Sequence, residues 1–82
     1  MNARRYTVRL YWHGTRRSQE DRNLDPHDNA TLRAVLEEMV TTAHGDLRTD
    51  LSKWRLDVHT LGGGRIHARC TVTPGGLTEV TR

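Results

Sequence analysis

Only one stretch of this 82-residue chain repeats its apolar side chains with a helical period. Leu32, Val35, Leu36, Met39, Val40 and Ala43 recur at steps of three and four, which gathers them into one stripe of a helix over residues 29–44. The other apolar runs alternate with period two, as strands buried on one side do. A single helix can cover a single face of a sheet. The pattern therefore predicts an α+β domain, with one helix packed on one face of a mostly antiparallel sheet of three to five strands and the opposite face left open. Asp28 or Asn29 stands where an N-cap should accept backbone N–H groups. Gly45 stands where a left-handed C-cap is wanted, and His44 lies near the negative end of the helix dipole.

The clearest strand is RRYTVRLYWH, residues 4–13, in which Tyr6, Val8, Leu10 and Trp12 share one face and Arg5, Thr7, Arg9 and Tyr11 the other. Residues 14–28 are polar. Gly14 signals a turn, and an unstructured loop of this length is uncommon in a small domain. An edge strand over residues 18–24 is therefore expected, with Leu24 turned inward and charges discouraging edge pairing. Residues 46–52 add a short turn. Residues 53–61 and 65–73 read as a hairpin closed by Gly62, Gly63 and Gly64. Trp54, Leu56 and Val58 line its apolar face, as do Ile66, Ala68, Cys70 and Val72, and core packing is expected for both Trp12 and Trp54. Pro74, Gly75 and Gly76 end the hairpin, and residues 74–82 supply either a short last strand or a tail.

The order strand, edge strand, helix, strand, strand is that of a β-grasp-like chain, β-(β)-α-β-β. The stretch LDPHDNATLRAVLEEM, residues 24–39, resembles the start of the helix in ubiquitin-like β-grasp proteins, where an apolar strand end, a Pro and an Asp precede the helical spacing. The resemblance implies the fold alone. Gly75 and Gly76 are followed by six further residues, unlike the terminal Gly-Gly of conjugated members.

The length fits one domain spanning residues 1–82. The lone Cys70 cannot form an intramolecular disulfide, which suits a reducing compartment. No apolar run approaches a membrane span, and MNARRYTVRLYW alternates where a signal peptide would be uniformly apolar. A cytoplasmic location is expected. The net charge is +3, and the cationic side chains are arginines apart from Lys53. Arginine suits carboxylate and phosphate through its planar fork of donors. The same bias also follows from a G+C-rich bacterial or phage genome.

Candidate chemistry concentrates on the open face. Arg5, Arg9 and Tyr11 from the first strand join Arg55, Asp57, His59, Arg65, His67 and Arg69 from the hairpin. Five arginines meet one acid, if the helix covers the opposite side. With a three-residue turn, His59 and His67 face each other across the hairpin. Two imidazoles are too few for a stable metal site, and Cys70, of opposite parity, cannot join them. No metal and no cofactor is expected. Cys70 falls in the apolar register, Glu37 and Glu38 diverge on their helix, and GGGR lacks the spacing and the lysine of a phosphate loop. No catalytic residue and no small-molecule substrate is evident, and the chain reads as a binding module rather than an enzyme. The first expectation is a protein partner or self-association, using Arg5, Arg9, Tyr11, Arg55, His59, Arg65, His67 and Arg69 or a sheet edge. The alternative is a nucleic acid whose phosphates meet the same face.

Overall fold

The computed structural model describes residues 3–82. Strands β1 (Arg4–Trp12) and β2 (Thr15–Leu24) form a hairpin, helix α1 (Asn29–His44) follows, and a short 3₁₀ turn (Leu51–Lys53) leads into β3 (Trp54–Thr60). Strands β4 (Ile66–Val72) and β5 (Thr78–Thr81) complete one sheet of order β2-β1-β3-β4-β5, in which every neighbouring pair is antiparallel. The connection from β2 to β3 passes over β1, and α1 supplies it. This is the α+β arrangement of one helix on an antiparallel sheet.

Local chemistry accounts for the element boundaries. The β1–β2 hairpin turns on two residues, His13 and Gly14, with φ of 48° and 79°. Positive φ at both central positions matches the right-handed twist of the flanking strands, and Gly14 reaches it without steric cost. His13 N–H is satisfied by the Lys53 carbonyl. The edge strand thus begins at Thr15, three residues earlier than its composition predicts, and Leu24 is buried at its end as expected. Helix α1 has the predicted bounds. The Asp28 carboxylate accepts from the N–H groups of Ala30 and Thr31, and the Gly45 N–H donates to the Thr41 carbonyl. The final residues form a strand: β5 pairs with β4 from Val72↔Thr78 to Arg69↔Thr81.

The core lies between helix and sheet. Leu32, Val35, Leu36, Met39 and Val40 of α1 pack on Val8, Leu10, Leu24, Trp54, Leu56, Val58, Ala68, Cys70 and Val72. Each fully buried Leu or Val contributes about 1.5–3 kcal/mol. Cys70 is a free thiol, so this apolar layer holds the fold without a disulfide. Two expected core residues lie outside it. Trp12 is 38 % exposed, because it ends β1 beyond the helix, where the Arg17 guanidinium covers its ring at 5.6 Å. Ile66 is 41 % exposed because the pairing slips by one residue between it and Ala68. No helix among the described residues is long and apolar enough to cross a membrane.

Candidate functional site on the open sheet face

The face opposite α1 is built by alternate residues of all five strands. Strand β1 contributes Arg5, Thr7, Arg9 and Tyr11, and β3 contributes Arg55, Asp57 and His59. Arg69 and Thr71 come from β4, while the registers Thr7↔Asp21, Arg9↔Gln19 and Thr71↔Glu79 bring in residues of β2 and β5. Asp21 and Glu79 were invisible as face residues because edge-strand pairing cannot be read from alternation in the central strands. They make the face less one-sided in charge than five arginines against one acid.

At its centre lies Asp57, only 2 % exposed although no helix covers it. Its carboxylate accepts from Arg55 Nε at 2.9 Å and stands 3.5 Å from Arg69 Nε. Arg55 in turn lies over the Tyr11 ring, 4.2 Å from the ring centre. Guanidinium stacked on an aromatic ring and ion-paired to a buried carboxylate loses much of its rotational freedom. Arg9 is held from two sides. Its Nε donates to Gln19 Oε1 at 2.7 Å, an oxygen that Arg16 Nη1 also reaches at 3.3 Å.

The other side of Arg9 meets the loop between β3 and β4, which folds back over the face. Gly62 N–H donates to Thr7 Oγ1 at 2.9 Å, and the same hydroxyl donates to Asp21 Oδ1 at 2.7 Å. A Cβ added at Gly63 would collide with Arg9 Nη2, and the φ of 92° there is one that side chains rarely adopt. Glycine at 63 therefore lets backbone and guanidinium lie in contact.

This loop changes the roles of the histidines. His59 is 5 % exposed, with Nδ1 at 3.3 Å from the Gly64 carbonyl. A carbonyl can only accept, so the ring hydrogen sits on Nδ1. Nε2 is buried without a partner among the described residues. His59 supports the face from within and does not present itself to a ligand. His67 leaves the face altogether. The register runs Val58↔Ala68 and then His59↔Ile66, so His67 is the extra residue of a bulge. It lands on the helix side, bonded to Thr60 Oγ1 through Nε2 at 2.8 Å and edge-on to Tyr6 at 5.2 Å between ring centres. His59 and His67 therefore do not face each other. Bulges re-aim side chains in this way, and a similar slip after Leu10 turns Arg17 toward Trp12 and Trp54.

Of the predicted site residues, the structure brings together Arg9, Tyr11, Arg55 and Arg69 around Asp57, with Arg5 toward the edge and Arg65 in the covering loop. Arg5, Arg65 and Arg69 are exposed, while Arg9, Tyr11 and Arg55 are half-buried. Among the described residues no three His, Cys, Asp or Glu side chains gather as metal ligands would. Cys70 is fully buried on the opposite side of the sheet, and burial pushes its thiol pKa up.

The chain matches no family model, no curated protein and no solved structure.

Proposed function

We propose that the protein is a non-catalytic binding module of the cytoplasm that docks a partner protein on the arginine-bearing face of its sheet. The observation that carries this reading is the set Tyr11–Arg55–Asp57–Arg69. Its arginines are already oriented by a buried carboxylate and an aromatic ring, so less side-chain freedom is lost when a partner lands on them. Arg and Tyr at the centre of a flat surface are also the residue types that dominate protein interfaces. The charge excess of the face fits a partner surface rich in carboxylates. The same set disfavours nucleic acid, since the Arg55 guanidinium covers the one ring of this face on which a base could stack, and the single charge of Asp57 partly offsets the two guanidinium groups beside it. Arg5 and Arg65, which form no ion pair among the described residues, carry the nucleic-acid alternative.

The test is capture from a cell extract with the full chain and with an Arg9→Glu, Arg69→Glu variant, followed by direct titration of the purified partner. The expected result is a partner whose affinity falls at least about tenfold in the variant, with Tyr11→Ala alone costing as much. Equal affinity for both chains rules out this face. Labelled oligonucleotides that bind with a steep salt dependence, shallower after Arg5→Ala and Arg65→Ala, would replace the protein partner with a phosphate backbone.

A further inference from the structure

A second polar cluster lies on the helix side of the sheet, at the end where β1 and β4 begin. Arg4, Tyr6, Pro26, His27 and His67 line a concavity of about 380 Å³ there. Three separate parts of the chain build it. Arg4 and Tyr6 come from β1, His27 from the segment before α1, and His67 reaches it only because of the β4 bulge. Arg82 fixes the wall by donating from Nε and Nη2 to the Pro26 carbonyl at 3.1 and 2.9 Å, and it adds a further positive charge nearby.

The acids closest in sequence are hydrogen-bonded to the segment that carries His27 and to the start of α1. Asp25 accepts from the His27 N–H at 2.9 Å. Both oxygens of Asp28 serve the start of α1, accepting from the N–H groups of Ala30 and Thr31 and from the Thr31 hydroxyl. That capping occupies the N–H groups of Ala30 and Thr31. No carboxylate lines the concavity, and Arg4 forms no ion pair among the described residues. One permanent cation and two imidazoles thus converge on a hollow without a counter-charge in its wall. A metal ion would be repelled by the guanidinium and would find only two nitrogen ligands. An oxyanion finds forked donors from Arg4 and ring N–H donors from the histidines.

We propose that this concavity binds the phosphate group of a small ligand, with Arg4 as the forked donor and His27 and His67 as hydrogen-bond donors on either side. Thr60 orients His67 through Nε2, which leaves Nδ1 for the ligand. The site is distinct from the arginine face, since the sheet lies between them, and does not depend on the partner proposed for that face.

The experiment follows the five imidazoles of the full chain by NMR as inorganic phosphate replaces chloride at constant ionic strength and constant pH. The expected result is that His27 and His67 shift together on one saturating curve while His44 stays still. Arg4→Ala should weaken binding about tenfold, Arg4→Lys less, and Arg48→Ala at the far end of the molecule not at all. Phenyl phosphate serves as the second probe. Binding as tight as that of inorganic phosphate identifies the terminal group of a larger molecule, and markedly weaker binding identifies the free ion. Shifts that never saturate, that appear equally at His44, or that survive Arg4→Ala unchanged would overturn the proposal.

Discussion

Asp57 is the residue on which the arginine face depends. A carboxylate 2 % exposed on an uncovered sheet face is affordable only because two guanidinium groups approach it. Arg55 and Arg69 are themselves one-third and one-half exposed, so solvent screens part of the attraction, and the pair belongs between the surface and buried limits. Asp57→Asn keeps the shape, removes the charge and turns an amide N–H₂ toward arginine donors that cannot accept. The expected loss is about 1–2 kcal/mol, seen as a lower urea midpoint at unchanged slope, together with a ring environment at Tyr11 altered by the release of Arg55. A loss below about 0.5 kcal/mol would place the cluster among ordinary solvent-screened surface pairs. Two residues along β3, His59 Nε2 has no partner among the described residues: the glycine loop that bonds Thr7 also buries a ring nitrogen that gains nothing from it.

At the scale of elements, α1 is bounded by interactions that titrate. The Thr31 hydroxyl, with the N–H groups of Thr31 and Ala30, holds the Asp28 carboxyl below its ordinary value of 3.8. A group whose folded pKa is depressed stabilises the fold above its unfolded pKa and loses that contribution as the pH falls through the lower folded value. Asp28→Ala should therefore lower the melting temperature at neutral pH and flatten the acid limb of stability below about pH 4, while Asp28→Ser retains most of the neutral-pH stability through its own hydroxyl cap. An acid limb identical in Asp28→Ala would show that the cap contributes nothing. Helix α1 was legible in the sequence because both its period and its caps are local. The alternation of β1 and β3 likewise placed Arg5, Arg9, Tyr11, Arg55 and Asp57 on one face. Bulges are not legible in this way. The alternation of IHARCTV reads smoothly through residue 66, yet one unpaired residue exchanges Ile66 and His67 between the two sides of the sheet. Strand β2 was half-legible: it has almost no β-branched residues, and its start is encoded instead in the turn pair His13–Gly14.

For the molecule as a whole, the weakest boundary is the β5 edge. Four residues of strand cover the edge of β4, and Cys70 of β4 is paired in register with Val80. Arginines tie down this edge at both ends. Arg33 Nη1 donates to the Gly76 carbonyl at 3.0 Å and to Thr78 Oγ1 at 2.9 Å, and Arg82 reaches across to Pro26. If these ties make β5 open only with the rest of the fold, Cys70 alkylation in the native protein should be slow and should accelerate with urea along the slope of global unfolding. Arg33→Ala should add a faster phase at low urea whose rate is independent of denaturant, the signature of local detachment. Electrostatics cannot mimic that result. Burial raises the Cys70 pKa and the charge of Arg33 partly opposes it, so losing Arg33 leaves less of the reactive thiolate and would slow the reaction in an intact fold. A denaturant-independent rate already present in the wild-type chain would instead make β5 a flap that opens by itself, and the edge of the sheet, rather than its arginine face, would become the surface on which another strand could pair.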